Sequence, residues 1–253
     1  MNTINAIKFI SEGASIISLA KVSNPTGYNV SLEYSYNGTD WSEWDLSGLT
    51  VNSGDTLFIR GNNPSGFNSY NKDTKTYKYH KFIIEGDKVS CSGNIMSLID
   101  YKNLPDIIPC SYCFYGLFEN CNALTTAPEL PATKLTDRCY VFMFSGCTSL
   151  KTAPELPATE LAESCYEHMF EDCASLTTAP ELPATMLAEW CYSWMFKNCT
   201  SLKTVPELPA TELAKDCYTD MFYGCTSLKN KPKLTESYKS RMTFKEYCQR
   251  NVL

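Results

Sequence analysis

Basic charge is scarce in this chain: 22 Lys and Arg stand against 28 Asp and Glu, a net charge of −6. Nucleic-acid binders usually carry a basic face and a high pI, so no nucleic-acid partner is expected. No apolar run approaches the roughly 18 residues needed to span a bilayer, so no membrane insertion is expected either. The opening stretch MNTINAIKFISEGASIISLA shows no basic region followed by an apolar one, and no export signal is visible. Histidine occurs twice, as His80 and His168. The motifs GxSxG, HExxH and GxxxxGKS/T are missing, which removes the usual signatures of a nucleophile elbow, a zinc protease and a phosphate cradle. The expectation is a non-enzyme with no catalytic residues, no bound metal and no cofactor.

What the chain does have is a core's worth of apolar residues, 43% hydrophobic and 13% aromatic over 253 positions, together with 13 cysteines. That aromatic content argues against disorder. The cysteines are about 5% of the chain, below the range of small disulfide-built scaffolds. An odd count leaves at least one thiol free or paired between chains.

An internal repeat orders the second half. Cys121, Cys147, Cys173, Cys199 and Cys225 are spaced by 26 residues, and Cys113, Cys139, Cys165, Cys191 and Cys217 keep the same step. The leucines Leu124, Leu150, Leu176, Leu202 and Leu228 follow it, as do Pro128, Pro154, Pro180, Pro206 and Pro232. A fixed period of this length means one supersecondary unit per repeat, stacked on its neighbours. A worn leading copy is visible around Ser97-Leu98 and Leu104-Pro105, and after Leu234 the pattern decays into a cap over 235–253.

Within a unit, Leu161, Cys165, Met169 and Cys173 lie four apart, with Ala162, Tyr166 and Phe170 beside them. That spacing predicts a short amphipathic helix. The segment LKTAPELP predicts a short strand, because Pro154 and Pro157 cannot donate to a ladder and disfavour helix before them. Each unit is therefore expected to be a short strand, a turn and a short helix.

The phrase MFSGCTSLKTAPELPATELAESCY, Met143–Tyr166, resembles the BspA-type (Treponema-like) branch of the leucine-rich repeat family, and the likeness covers roughly residues 95–234. The leader phrase YSYNGTDW and the linker SGNIMSL are similar to those of such proteins from gut Bacteroidetes and their phages. The resemblance implies an α/β solenoid over 95–253, a protein-binding or carbohydrate-binding surface, and an adhesive role on a virion or cell surface.

Residues 1–94 read as a small β-sandwich. VSLEYSY alternates apolar and polar side chains and runs into Asn37-Gly38, a strong hairpin signal. Further strands are expected at Thr56–Arg60 and Tyr79–Glu85.

The cysteines admit three chemistries. Only Cys110-Ser111-Tyr112-Cys113 has a zinc or redox spacing, and no second pair follows it. Disulfides eight residues apart within a helix would exceed the reach of the bond. The ten repeat cysteines are expected to be small buried thiols that fill the core and bond weakly to turns.

Surface positions show where recognition would sit. Glu129, Glu155, Glu181 and Glu207 recur on the strand segment and predict a solvated acidic face that would meet a periodic ligand in the same way at every step. Positions on the expected helix vary instead: Arg138, Ser164, Trp190 and Asp216 are equivalent, as are the pairs Val141-Phe142, Glu167-His168, Ser193-Trp194 and Thr219-Asp220. Variation of this kind predicts exposure, which would put Phe142, His168, Trp190 and Trp194 in an aromatic stripe suited to binding. In the leader, Tyr34, Tyr36, Trp41 and Trp44 are a smaller candidate for sugar stacking.

The partner expected is a host-surface protein or glycan, met by a virion-attached binding protein that needs no export signal. A scaffold docking other virion proteins and a bacterial surface adhesin are the alternatives.

Overall fold

Alternating apolar side chains build the first hundred residues. A computed structural model of the chain describes residues 4–24 and 30–229. Among the described residues nine strands precede the repeats: β1 (Ile7–Ser11), β2 (Ser15–Asn24), β3 (Leu32–Ser35), β4 (Ser42–Glu43), β5 (Leu49–Val51), β6 (Thr56–Gly61), β7 (Ser69–Asn71), β8 (Thr76–Gly86) and β9 (Val89–Ser92). In β1, Ile7 and Phe9 are fully buried while Ile10 faces out; in β6, Leu57 and Ile59 point inward between Phe58 and Arg60. This period of two is the mark of a half-buried strand. The Asn37-Gly38 signal falls in the β3–β4 connection, where Asn37 Oδ1 accepts the amides of Thr39 and Asp40 at 2.9 Å each.

The strands form two sheets. One holds β5-β2-β8-β7; the other holds β9-β1-β6-β3-β4, extended by β10 (Leu124–Thr126) from the first full repeat. Strand β10 runs parallel to β9, the one parallel strand pair among the described residues. Phe9 of β1 and Phe82 of β8 meet at 5.4 Å between ring centroids, so the sheets share a core. That core continues without a break into the repeats.

The expectation of an α/β solenoid of leucine-rich repeats, with a short helix in each unit, is overturned. The structure is nearly all sheet, 2% helical and 27% strand, with two sheets and no closed solenoid. Among the described residues the one helix is α1 (Ser97–Asp100), in the worn leading copy. The expected cap over 235–253 lies outside the described residues.

The segment expected to be helical is a run of linked turns, and its hydrogen bonds explain why. Amides of Cys165, Glu167, Met169, Glu171 and Cys173 each donate three residues back, to Ala162, Ser164, Tyr166, His168 and Phe170. The intervening amides, from Ser164, Tyr166, His168, Phe170 and Asp172, donate across to Glu189, Cys191, Ser193, Met195 and Lys197 of the next repeat. A helix would keep all of these bonds within the segment. Here half of them tie one unit to the next, and Ser164, His168 and Asp172 take positive φ of 52°, 55° and 60°, which no right-handed helix contains.

The strand segments shrink to single bridges, Thr126–Thr152, Thr152–Thr178 and Thr178–Thr204, all parallel. Prolines two residues downstream remove the donors that would extend them.

Stacking is nonetheless in register. Leu150, Leu176 and Leu202 are each fully buried, as are Met143, Met169 and Met195. Two ring columns run through the interior. Tyr140, Tyr166, Tyr192 and Tyr218 stack at 5.7–5.8 Å, their ring planes nearly parallel. Phe118, Phe144, Phe170, Phe196 and Phe222 stack at 5.5–5.7 Å. Phe82 of β8 caps the second column, lying 4.9 Å from Phe118 at 12°. Its amide donates to Leu117, so β8 takes the place of a preceding repeat.

The ten repeat cysteines are buried and free. In one column the thiols of Cys147, Cys173, Cys199 and Cys225 donate to the carbonyls of Phe118, Phe144, Phe170 and Phe196 at 2.9–3.1 Å. Cys121 does the same to Phe82 at 3.2 Å. The other column, Cys113, Cys139, Cys165, Cys191 and Cys217, lies beside the tyrosines and is buried equally deeply. Burial pushes the Cys139 thiol up to about 12 and raises Cys147, Cys165 and Cys173 as well, so these thiols stay protonated and unreactive.

Candidate recognition surface

Each unit of linked turns contains three left-handed positions, four residues apart. The third position in each repeat holds Asn120, Gly146, Asp172, Asn198 and Gly224, residues that accept positive φ at little expense. The middle position opens with Gly116 and closes with Asp220, but between them come Phe142, His168 and Trp194 at φ of 56°, 55° and 53°. The first position holds Tyr112, Arg138, Ser164, Trp190 and Asp216. Bulky side chains are uncommon at positive φ, and left-handed geometry costs an L-residue about 1–2 kcal/mol.

The rings at these positions lean on one another. Phe142 lies 4.6 Å from His168 at 21°, and His168 lies 4.9 Å from Trp194 at 8°. Trp194 stacks on Trp190 at 5.7 Å, and Tyr115 meets Phe142 edge-on at 5.7 Å. All five are half-buried, each ring keeping part of its surface in water. The expectation that the variable positions all face solvent is corrected here: Ser164, Ser193 and Val141 are buried. The turns point these small side chains inward, where a helix would have carried them around to the outside.

Charged groups brace the band. Glu171 bonds His168 Nδ1 at 2.5 Å through one oxygen and Lys197 at 2.6 Å through the other. Burial alone would raise its carboxyl pKa, but the bonds from His168 and Lys197 outweigh it and hold the group below its ordinary range. Glu189 accepts Trp190 Nε1 at 2.8 Å and Lys215 at 2.6 Å, fixing the indole edge.

The acidic residues Glu129, Glu155, Glu181 and Glu207 are exposed on another face. Between the first two lies a shallow groove of about 610 Å³ walled by Pro128, Leu130, Pro131, Pro154 and Pro157. The leader aromatics do not form one platform. Trp44 is buried against Phe82 at 6.3 Å, while Trp41 covers the Arg60 guanidinium at 3.7 Å, with Tyr101 on that guanidinium at 4.0 Å. Tyr34 and Tyr36 contact each other edge-on at 5.9 Å.

Cys110 is half-buried and Cys113 fully buried. A hydrogen bond from Cys113 lowers the Cys110 pKa, burial opposes it, and the charge of Lys78 adds to the lowering; burial raises Cys113. Gly66 at φ +108° makes room for this thiol, since a Cβ there would stand 2.2 Å from Cys110 Sγ. Among the described residues no group of three or more His, Cys, Asp or Glu could hold a metal ion, and no helix is long and apolar enough to cross a membrane.

A second aromatic feature has no signature in the sequence. Tyr70, Tyr77, Tyr79, Tyr112 and Tyr115 wall a cleft where the β7–β8 hairpin meets the leading turns of the repeats. Nothing local in the sequence joins residues about 40 positions apart; backbone bonds from Asn68 to Cys113 and from Phe82 to Leu117 bring the hairpin onto the leading turns.

No protein-family model matches the chain, and no curated protein or solved structure matches it.

Proposed function

We propose that this chain is a non-enzymatic recognition protein that binds a surface protein or glycan along the band Phe142, His168, Trp194 and Trp190. The observation that carries the reading is the choice of residue at the left-handed positions. Glycine, asparagine or aspartate satisfies this geometry at the ends of the middle column and throughout the third one. Three consecutive repeats hold bulky rings there instead, against a local backbone penalty, and keep them partly open to water. Strained positions of this kind persist where a surface is being used. Half-exposed tryptophan, phenylalanine and histidine rings are the side chains that supply binding energy at low entropic expense. The likeness of the repeat phrase to adhesive surface proteins supports the same reading.

The test is binding of purified cell-envelope glycan and envelope protein to the immobilised chain. The double variant Phe142→Asn, Trp194→Asn is expected to abolish retention without unfolding the protein. Unchanged retention refutes the assignment. If nothing binds and the same variant dissolves a stable homo-oligomer, the band serves assembly, and a scaffold takes the place of a receptor-binding protein.

A further inference from the structure

We propose that the tyrosine-walled cleft between the β7–β8 hairpin and the leading turns is a separate binding site for the ring of an acidic sugar. The proposal deepens the recognition reading and rests on it. The cleft encloses about 260 Å³, room for a single ring. Its walls meet at steep angles: Tyr70 and Tyr112 at 5.4 Å and 66°, Tyr79 and Tyr115 at 5.8 Å and 72°, Tyr112 and Tyr115 at 5.8 Å and 45°. A corner of this kind suits a puckered ring with C–H groups on one face and hydroxyls at its edge. It suits a flat base less well, because a base stacks between parallel planes.

The site is held open before any ligand arrives. Asn68 at its base donates to the carbonyls of His80 and Tyr115 at 3.0 Å each and accepts the amide of His80 at 2.7 Å. Tyr79 donates its hydroxyl to Glu119 at 3.0 Å, and Lys81 bonds the same carboxylate at 3.3 Å. Arg138 Nη1 donates to the Tyr112 hydroxyl at 3.4 Å. Rings fixed in this way lose little freedom on binding. Tyr70 and Tyr77 face each other across the hairpin, 38% and 37% exposed, and complete the outer wall.

Charge selects the class of sugar. Among the described residues no carboxylate lines the cleft, and Lys78 does. The strand and turn around it read NKDTKTYKYHK, with Lys72, Lys75 and Lys78 against Asp73, and with Lys81 paired to Glu119. This hairpin is basic on a chain whose net charge is −6. A cationic ligand would be repelled there, and a uronate would find its carboxylate beside Lys78 while its ring packs on tyrosine.

The experiment titrates the full chain with oligogalacturonate, a hyaluronan tetrasaccharide, their neutral galactose and glucose counterparts, and a proline-rich peptide, read by calorimetry at low and high salt. At least one uronate probe is expected to bind, more weakly at high salt, and at least tenfold more tightly than its neutral counterpart. Tyr70→Ala and Tyr112→Ala are each expected to weaken it by about tenfold, the equivalent of one good ring contact. Lys78→Met should erase the preference for the acidic probe. The proposal fails if no uronate probe binds, if neutral sugar or peptide binds as well, or if Tyr70→Ala and Lys78→Met change nothing. Should uronate binding survive Tyr70→Ala and disappear with Phe142→Asn, Trp194→Asn, the recognition reading stands and the cleft assignment falls. If neither set of variants matters and envelope material is not retained, both fall.

Discussion

Phe142 and Phe144 are two residues apart in one turn, and replacing them should have unequal consequences. Phe144 is fully buried between Phe118 at 5.5 Å and Phe170 at 5.7 Å. Removing such a ring leaves a cavity in a stacked column, and Phe144→Ala should destabilise by about 3–5 kcal/mol. Phe142 is half-buried and held at φ 56°. Phe142→Asn gives up ring contacts with Tyr115 and His168, each about 0.5–1.5 kcal/mol. Against that, asparagine accepts the left-handed backbone and recovers roughly 1 kcal/mol of the penalty. The net loss should be about 0–2 kcal/mol. Urea unfolding followed by circular dichroism, with the two variants compared at equal slope, measures both. If Phe142→Asn lowers the midpoint as far as Phe144→Ala, the claim that the outer band is carried for binding and not for stability is wrong.

His80 is fully buried, and its pKa is lowered to about 4, by burial first and then by the charges of Lys21 and Lys78. The native histidine stays neutral while the unfolded one protonates from its ordinary 6.5 downward, so the contribution of this group to stability is present above pH 6.5 and is lost between 6.5 and about 4. His80→Gln should flatten that part of the pH–stability curve; an unchanged curve refutes the assignment. Alkylation of the native protein followed by peptide mass mapping should modify Cys110 well before any of the ten repeat cysteines, which should react together only on unfolding. Early modification of Cys147 or Cys173 would contradict their burial. Arg60→Lys should cost about 1 kcal/mol, because a flat guanidinium between Trp41 and Tyr101 that also bonds Glu33 at 2.7 Å has no ammonium equivalent. A neutral result by the same urea assay would mean the stack contributes nothing.

Much of this molecule is written locally. The 26-residue step is plain in the sequence, and Leu150, Leu176 and Leu202 do share one depth. The strands β6 and β8 are legible because alternation reports directly on a half-buried pleat. The spacing predicts a helix that does not form, because periods of 3.6 and 4.0 look alike over a dozen residues. In a helix, residues four apart drift by about 40° at each step, so Leu161, Cys165, Met169 and Cys173 would spiral away from a common face. Their unbroken spacing of four was the available clue to a squared run of turns. What the chain alone could not decide is where each amide finds its acceptor. The answer is 25 residues away, from His168 to Ser193 and from Phe170 to Met195, and that choice turns a segment with helical spacing into stacked turns with left-handed corners. The same holds for Phe82 at the head of the phenylalanine column and for the five tyrosines around the cleft. Their adjacency arises only when the leader's sheet docks against the leading turns. Local pattern governs which side chains are buried, but the partners of backbone groups and the meeting of distant rings belong to the packed whole.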